Sequence, residues 1–268
     1  MYRPMDLFPL EGDPIPEGYD GWLVFLDEMN GADKDVQKAC YKTIYDQKVG
    51  NTPFHKNCVI AGAGNLDTDN AAVEEMSTAL QSRMIHIQVM VSLQEFLDYS
   101  SKAGLDYRVR AYCKFRPENL FNFNPDHDDK TFACPRTWEF TSRLIKDKPR
   151  LELTDRALIA GTVGEGVGRE FSGFCDIVDQ LPTIESIKAN PDVAKVPEEP
   201  SVQWATSGML GAHMDMDNAD KLMRYVSRLP EKEFQIFTLR DAVRRKERLM
   251  EHSAIQDWIA NNSQALFD

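Results

Sequence analysis

The 268-residue chain contains no apolar run near the ~18 residues that a membrane-spanning helix needs. Met1 to Pro9 also lack the charged-then-apolar order of a secretory leader. No membrane partner is therefore expected, and the expected location is the cytoplasm. Cysteine is scarce: Cys40, Cys58, Cys113, Cys134 and Cys175 are odd in number, widely spaced and never paired as C-x-x-C. That pattern excludes a disulfide framework, implies no zinc site and fits reduced thiols. Basic charge is in deficit, with 31 Lys and Arg against 43 Asp and Glu and a formal net charge of −12. Bulk electrostatic attraction to nucleic acid is not expected from such a chain. No internal repeat or low-complexity tract occurs.

What is present suits a core-forming protein of one large or two ordinary domains, with 42% apolar and 28% charged residues. The stretch that organises it is Trp22-Leu23-Val24-Phe25-Leu26-Asp27-Glu28. A short apolar run without alternation predicts a strand buried on both faces of a helix-covered parallel sheet. Ligands of such sheets bind beyond the carboxyl ends of the strands, where Asp27 and Glu28 fall. Two adjacent carboxylates there suit a hard cation and a water whose proton one of them can accept.

Residues 1–21, rich in Pro and Gly, predict a turn-rich lead-in. Asn30-Gly31 predicts a turn, and Asp33 the cap of a helix bearing Val36, Ala39, Cys40, Thr43 and Ile44. A second short strand runs from Asn57 to the small residues before Asn65. A further helix, capped by Asp69 or Asn70 and bearing Val73, Met76, Ala79 and Leu80, ends at Gln81-Ser82-Arg83, and residues 84–91 predict a third strand. The alternation of strands and helices indicates an α/β doubly wound sheet, of which the first half is not visible.

From residue 92 only helices are predicted. Ser92 with Glu95 makes a capping box, residues 106–115 form a helix stopped by Pro117, and Pro135 suits the first position of the next. Helices over 154–163 and 167–178 follow. Residues 191–200 read as a semi-rigid Pro-rich linker, and helical patterns continue at about 201–214, 217–229, 231–248 and 253–267. The organisation expected is 1–91 as an α/β core, 92–180 as a helical domain and 181–268 as a helical C-terminal extension.

Three polar signals occupy matching places: Asp27-Glu28 after one strand, Asn65 after the next, and Arg83 at a helix end. If the strands are neighbours, the Asn65 amide stands where it can hold a water in line for attack, a positioning role. Leu23 to Glu28 resembles a Walker B segment, Ala61-Gly62-Ala63-Gly64-Asn65 a sensor 1 strand, and Leu80-Gln81-Ser82-Arg83 the arginine-finger helix end of AAA+ ATPases. Cys134-Pro135-Arg136 resembles the sensor 2 motif at the head of a lid helix. The four occur in family order over residues 10 to about 180, and the likeness is closest to the MoxR-type branch, including relatives carried by bacteriophages.

The resemblance implies a partial parallel-sheet P-loop NTPase core with an all-helical lid, using ATP and Mg²⁺ to remodel a protein client. It implies that Asp27 holds Mg²⁺ through water, Glu28 activates the hydrolytic water and Asn65 orients it. Arg136 would contact the phosphates from the lid. Arg83 would enter a neighbouring subunit's site as an arginine finger, hence a ring, expected to be a hexamer.

One departure bears on activity. No G-x-x-x-x-G-K-[ST] occurs in the chain, so the loop that cradles phosphates is missing. The nearest string, residues 164–169, has the wrong spacing and reads as a glycine-rich turn between helices. The expectation is that Met1 is an internal start and that the chain alone does not hydrolyse ATP. Two other readings stand beside this one: a non-enzymatic ring-assembly or protein-binding module, and a metal hydrolase using Asp27 and Glu28. Remaining features read as structure. Asp126, His127, Asp128, Asp129 and Cys134 suggest a solvated loop, His213, Met214 and Met216 packing, Trp138, Phe140 and Trp204 core, and Arg240 to Arg248 a solvated face.

Overall fold

The computed structural model describes residues 7–66, 76–124, 129–178 and 181–262, without the side chains of residues 41, 42, 79 and 178. It divides into two compact units, Met1–Val89 and Met90–Asp268.

The first unit is mixed α/β. Strand β1 (Trp22–Leu26) is followed by helix α1 (Lys34–Asp46), a two-residue hairpin β2 (Lys48–Val49) and β3 (Thr52–Pro53), strand β4 (Cys58–Gly62) and the short helix α2 (Thr78–Gln81). β1 and β4 pair in parallel, in register from Trp22 opposite Cys58 to Leu26 opposite Gly62. Gly21 permits this start, because a Cβ there would lie 2.1 Å from the Asn57 carbonyl oxygen. On one face Val24 and Cys58 pack with Phe54, joined by Phe8, Leu10, Leu26, Val49 and Ile60. The other face carries Leu23, Phe25 and Val59, which are 64%, 56% and 65% exposed.

The expected burial of β1 on both faces is therefore not found. Side chains alternate across a strand, and the described residues cover one side only. Nor do residues 84–91 form the third strand: they carry no strand assignment, and Ile85, Ile87 and Val89 are almost fully exposed. Apolar content alone does not make a strand when no ladder partner satisfies its backbone. Among the described residues the doubly wound sheet is reduced to one parallel pair and one short hairpin. In α1 the buried position is Gln37, whose amide donates to the Ala32 carbonyl (3.0 Å), while Val36 is exposed. The expected caps Asp69 and Asn70 lie outside the described residues; the described α2 is capped by Ser77, which accepts from the Leu80 N–H.

The second unit is helical: α3 (Leu93–Lys102), α4 (Tyr107–Phe115), α5 (Pro135–Ile145), α6 (Leu153–Val163), α7 (Glu165–Val178), α8 (Ile184–Ala189), α9 (Pro200–His213), α10 (Ala219–Val226), α11 (Lys232–Arg245) and α12 (Ser253–Asn261). Local chemistry sets several starts. Ser92 accepts from the Glu95 N–H, Asp106 from the Arg108 N–H, and Pro135 opens α5 with its fixed φ. Around Tyr112 an aromatic cluster of Trp138, Phe171 and Phe174 has ring centroids 5.2–5.5 Å apart, and the Trp138 indole donates to the Asn119 carbonyl (2.8 Å). Phe140, expected in the core, is 45% exposed.

Residues 92–180 and 181–268, read separately from the sequence, belong to one compact unit. Helix α9 packs on both α4 and α11, and Gly208 allows the approach, since a Cβ there would sit 3.0 Å from that of Ala111. Arg110 on α4 is ion-paired with Asp241 on α11, both essentially without exposure. Arg245 also binds Asp241 (2.7 Å) and donates to the Leu105 carbonyl (2.8 Å), while Arg244 pairs with Asp98. The basic run at 240–248 is thus partly an inter-helix clamp rather than only a solvated face. Within 164–169, only Gly164 is a turn, at φ 90°. Gly166 and Gly168 lie inside α7, where a Cβ on Gly168 would come within 2.6 Å of the Ala160 Cα.

Candidate functional site

The parallel pair brings the carboxyl ends of β1 and β4 to one edge, and the pairing continues beyond the strands. The Ala63 N–H donates to the Leu26 carbonyl (2.9 Å), and the Met29 N–H donates to the Ala63 carbonyl (2.8 Å). Asp27, Glu28 and Asn65 therefore follow adjacent strand ends at the same end of the sheet, and all three are exposed. The Asp27 carboxylate accepts from the Glu28 N–H at 3.0 Å. Glu28 takes a left-handed backbone at φ 51°, closed by the Gly31 N–H donating to its carbonyl at 2.8 Å. That conformation is unusual for a residue with a full side chain and marks a place where the surroundings override local preference.

Asn30, read from the sequence only as a turn residue, is buried and faces Asn65. Its amide nitrogen donates to the Asn65 carbonyl (2.7 Å), and its amide oxygen accepts from the Asn65 N–H (3.1 Å). The Asn-Gly pattern carries the turn signal but no sign of this pairing, which depends on a residue 35 positions away.

Arg83 lies just beyond α2, with its N–H donating to the Leu80 carbonyl (3.0 Å), and its guanidinium stands over the Tyr45 ring at 4.8 Å from the centroid. This geometry suits a cation–π contact and leaves the arginine on an exposed part of the first unit. Arg136 is exposed at the second position of α5 and belongs to the second unit. The strand pairing thus unites Asp27, Glu28 and Asn65, whereas Arg83 and Arg136 sit on other elements.

Compared with protein-family models, characterised proteins and solved structures, the chain has no match. The functional reading therefore rests on its own residues.

Other reactive groups are turned to structural use. Burial raises the thiol pKa of Cys113 and Cys58 and pushes Cys175 up to about 12, so these are held as protonated thiols. A pocket of about 180 Å³ is lined by Arg110, Lys114 and Arg244, each already paired with Asp241, Glu233 or Asp98. Met214 is fully buried and His213 packs edge-on to Tyr107, as packing residues do, while Met216 is 40% exposed. Asp126, His127 and Asp128 lie outside the described residues. Among the described residues there is no group of three or more His, Cys, Asp or Glu side chains arranged to hold a metal ion, and no helix is long and apolar enough to cross a membrane.

Proposed function

We propose that the edge formed by β1 and β4 is the hydrolytic half of an ATPase site of the MoxR type within the AAA+ proteins. The observation that carries this reading is the parallel register of β1 and β4, whose carboxyl ends lead into Asp27-Glu28 and Asn65 at one end of the sheet. Such an edge is where α/β sheets bind ligands. The donor set suits Mg²⁺, a hard cation that takes one or two carboxylates and completes its shell with water and substrate phosphates. Asp27 would hold that ion through water and Glu28 would take the proton of the attacking water. Asn65 would orient the water by hydrogen bonding. Arg136 would contact the phosphates, and Arg83 would act in the site of a neighbouring subunit of a hexameric ring. The work done by the cycle would be remodelling of a protein client, with the cytoplasm as the setting.

The 268 residues contain no phosphate loop, so in this reading phosphate cradling would be supplied by residues outside them. The test is Mg²⁺-dependent ATP turnover by the 268-residue chain alone and by the chain joined to a phosphate-loop segment. Turnover is expected from the joined form and not from the chain alone, and Glu28→Gln should abolish it while nucleotide still binds. Turnover by the 268-residue chain, abolished by Glu28→Gln, would contradict the half-site reading. Absence of turnover from the joined form would remove the ATPase reading altogether.

One observation favours a second reading, a non-enzymatic module for ring assembly or protein binding. Leu23, Phe25 and Val59 form an uncovered apolar face, and contiguous exposed apolar surface often marks a protein contact.

A further inference from the structure

We propose that Asn30 is a positioning residue for this edge and acts through Asn65. The proposal rests on the ATPase reading. It starts from burial: an asparagine that only shapes a turn needs no partner beyond its neighbours, yet Asn30 is 4% exposed. Its amide donates to the Asn65 carbonyl and accepts from the Asn65 N–H, at 2.7 and 3.1 Å. Both bonds go to the backbone of one residue, so the side chain imitates a strand partner and extends the β1–β4 ladder past Ala63.

The pairing is reciprocal in its demands. A Cβ on Gly64 would lie 2.4 Å from the Asn30 amide oxygen and 2.9 Å from its side-chain carbonyl carbon, so the residue before Asn65 has no room for a methyl. On the other strand end, Asn30 follows the left-handed Glu28, whose turn is tied back by the Met29 N–H bond to the Ala63 carbonyl. The backbone from which the Asn65 side chain projects is thereby fixed against the strand end that carries Glu28. A water held between a base and an amide requires that spacing to be constant, because small misplacements of a positioning group are costly in rate.

Two measurements on one set of variants test this. In the 268-residue chain, Asn30→Ala should speed amide hydrogen exchange at Asn65 roughly tenfold, the effect of losing one buried hydrogen bond. Asn30→Asp keeps the acceptor for that N–H but sets an oxygen against the Asn65 carbonyl, so it should recover only part of the protection. In the chain joined to a phosphate-loop segment, Asn30→Ala should lower kcat about ten- to a hundredfold at unchanged KM for ATP. The double variant Asn30→Ala/Asn65→Ala should be no slower than Asn65→Ala, since one residue acts through the other. Additive losses in that cycle, or unchanged exchange at Asn65, would overturn the proposal while leaving the ATPase reading in place. Turnover untouched by Glu28→Gln, or no turnover, would remove the ATPase reading and with it any catalytic role for Asn30.

Discussion

The two units of this protein treat their polar groups in opposite ways. In the helical unit Arg110 and Asp241 are sealed among helices, each compensated by the other and by Ser100, Ser101 and Arg245. In the α/β unit Asp27, Glu28 and Asn65 stand in the open at strand ends, and a buried polar group, Asn30, is bonded to the Asn65 backbone. Buried, paired charge specifies packing, whereas exposed charge on a rigid edge remains available for chemistry. The apolar residues follow the same division. The helical unit closes two cores, around Tyr112 and around Leu210, while the sheet covers only the face of Val24 and Cys58.

That contrast can be broken at either end. The largest effect is expected on the exposed side. On the proposed reading, Arg83→Ala should slow ATP turnover by the chain joined to a phosphate-loop segment about 10³- to 10⁵-fold, the contribution of arginine fingers in NTPases. If the finger acts between subunits, mixing Arg83→Ala with Glu28→Gln subunits should restore part of the rate, and two variants that stay dead when mixed would place the arginine in its own site. On the buried side, Asp241→Ala strands the Arg110 cation and should cost about 3–5 kcal/mol in the helical unit. Urea unfolding followed through Trp138, Trp204 and Trp258 reports it.

A smaller change is expected with pH. The Lys148 ammonium, with the Glu152 N–H, holds the Asp155 carboxyl below its ordinary 3.8. A lowered folded-state value contributes stability above the unfolded-state value and loses it as pH falls through the folded one. Below about pH 3.8 the helical unit should therefore weaken, and Asp155→Asn should remove that part of the acid limb. The smallest effect belongs to the uncovered face: Phe25→Ser should change the stability of the α/β unit by no more than about 0.5 kcal/mol. A large loss would mean that this face is covered in solution.

Much of the local structure was legible because its causes are local. Ser92, Asp106 and Pro135 each signal a helix start through chemistry within three residues, and all three open helices. Two apolar runs each closing in polar residues suggest the Asp27-Glu28 and Asn65 strand ends but do not say that the strands are neighbours, which the β1–β4 pairing supplies. What escaped depended on partners distant in sequence. The register of Asn30 against Asn65 and the Arg110–Asp241 pair have no periodic signature. Residues 84–91 show why composition misleads: their apolar residues fit a strand, but a strand exists only with a neighbour to bond. Across residue 181 α9 packs on α4 within one compact unit, which a Pro-rich stretch does not reveal, since it indicates only a stiff connection.

The proposed site requires that the carboxylate leaving β1 perform proton chemistry on a water. The most direct measurement is the kcat for Mg²⁺-ATP of the chain joined to a phosphate-loop segment with Glu28→Gln, alongside nucleotide affinity. A fall of about 10²- to 10⁴-fold with affinity retained is expected for loss of a general base. Unchanged turnover would contradict the assignment of this edge as a hydrolytic site.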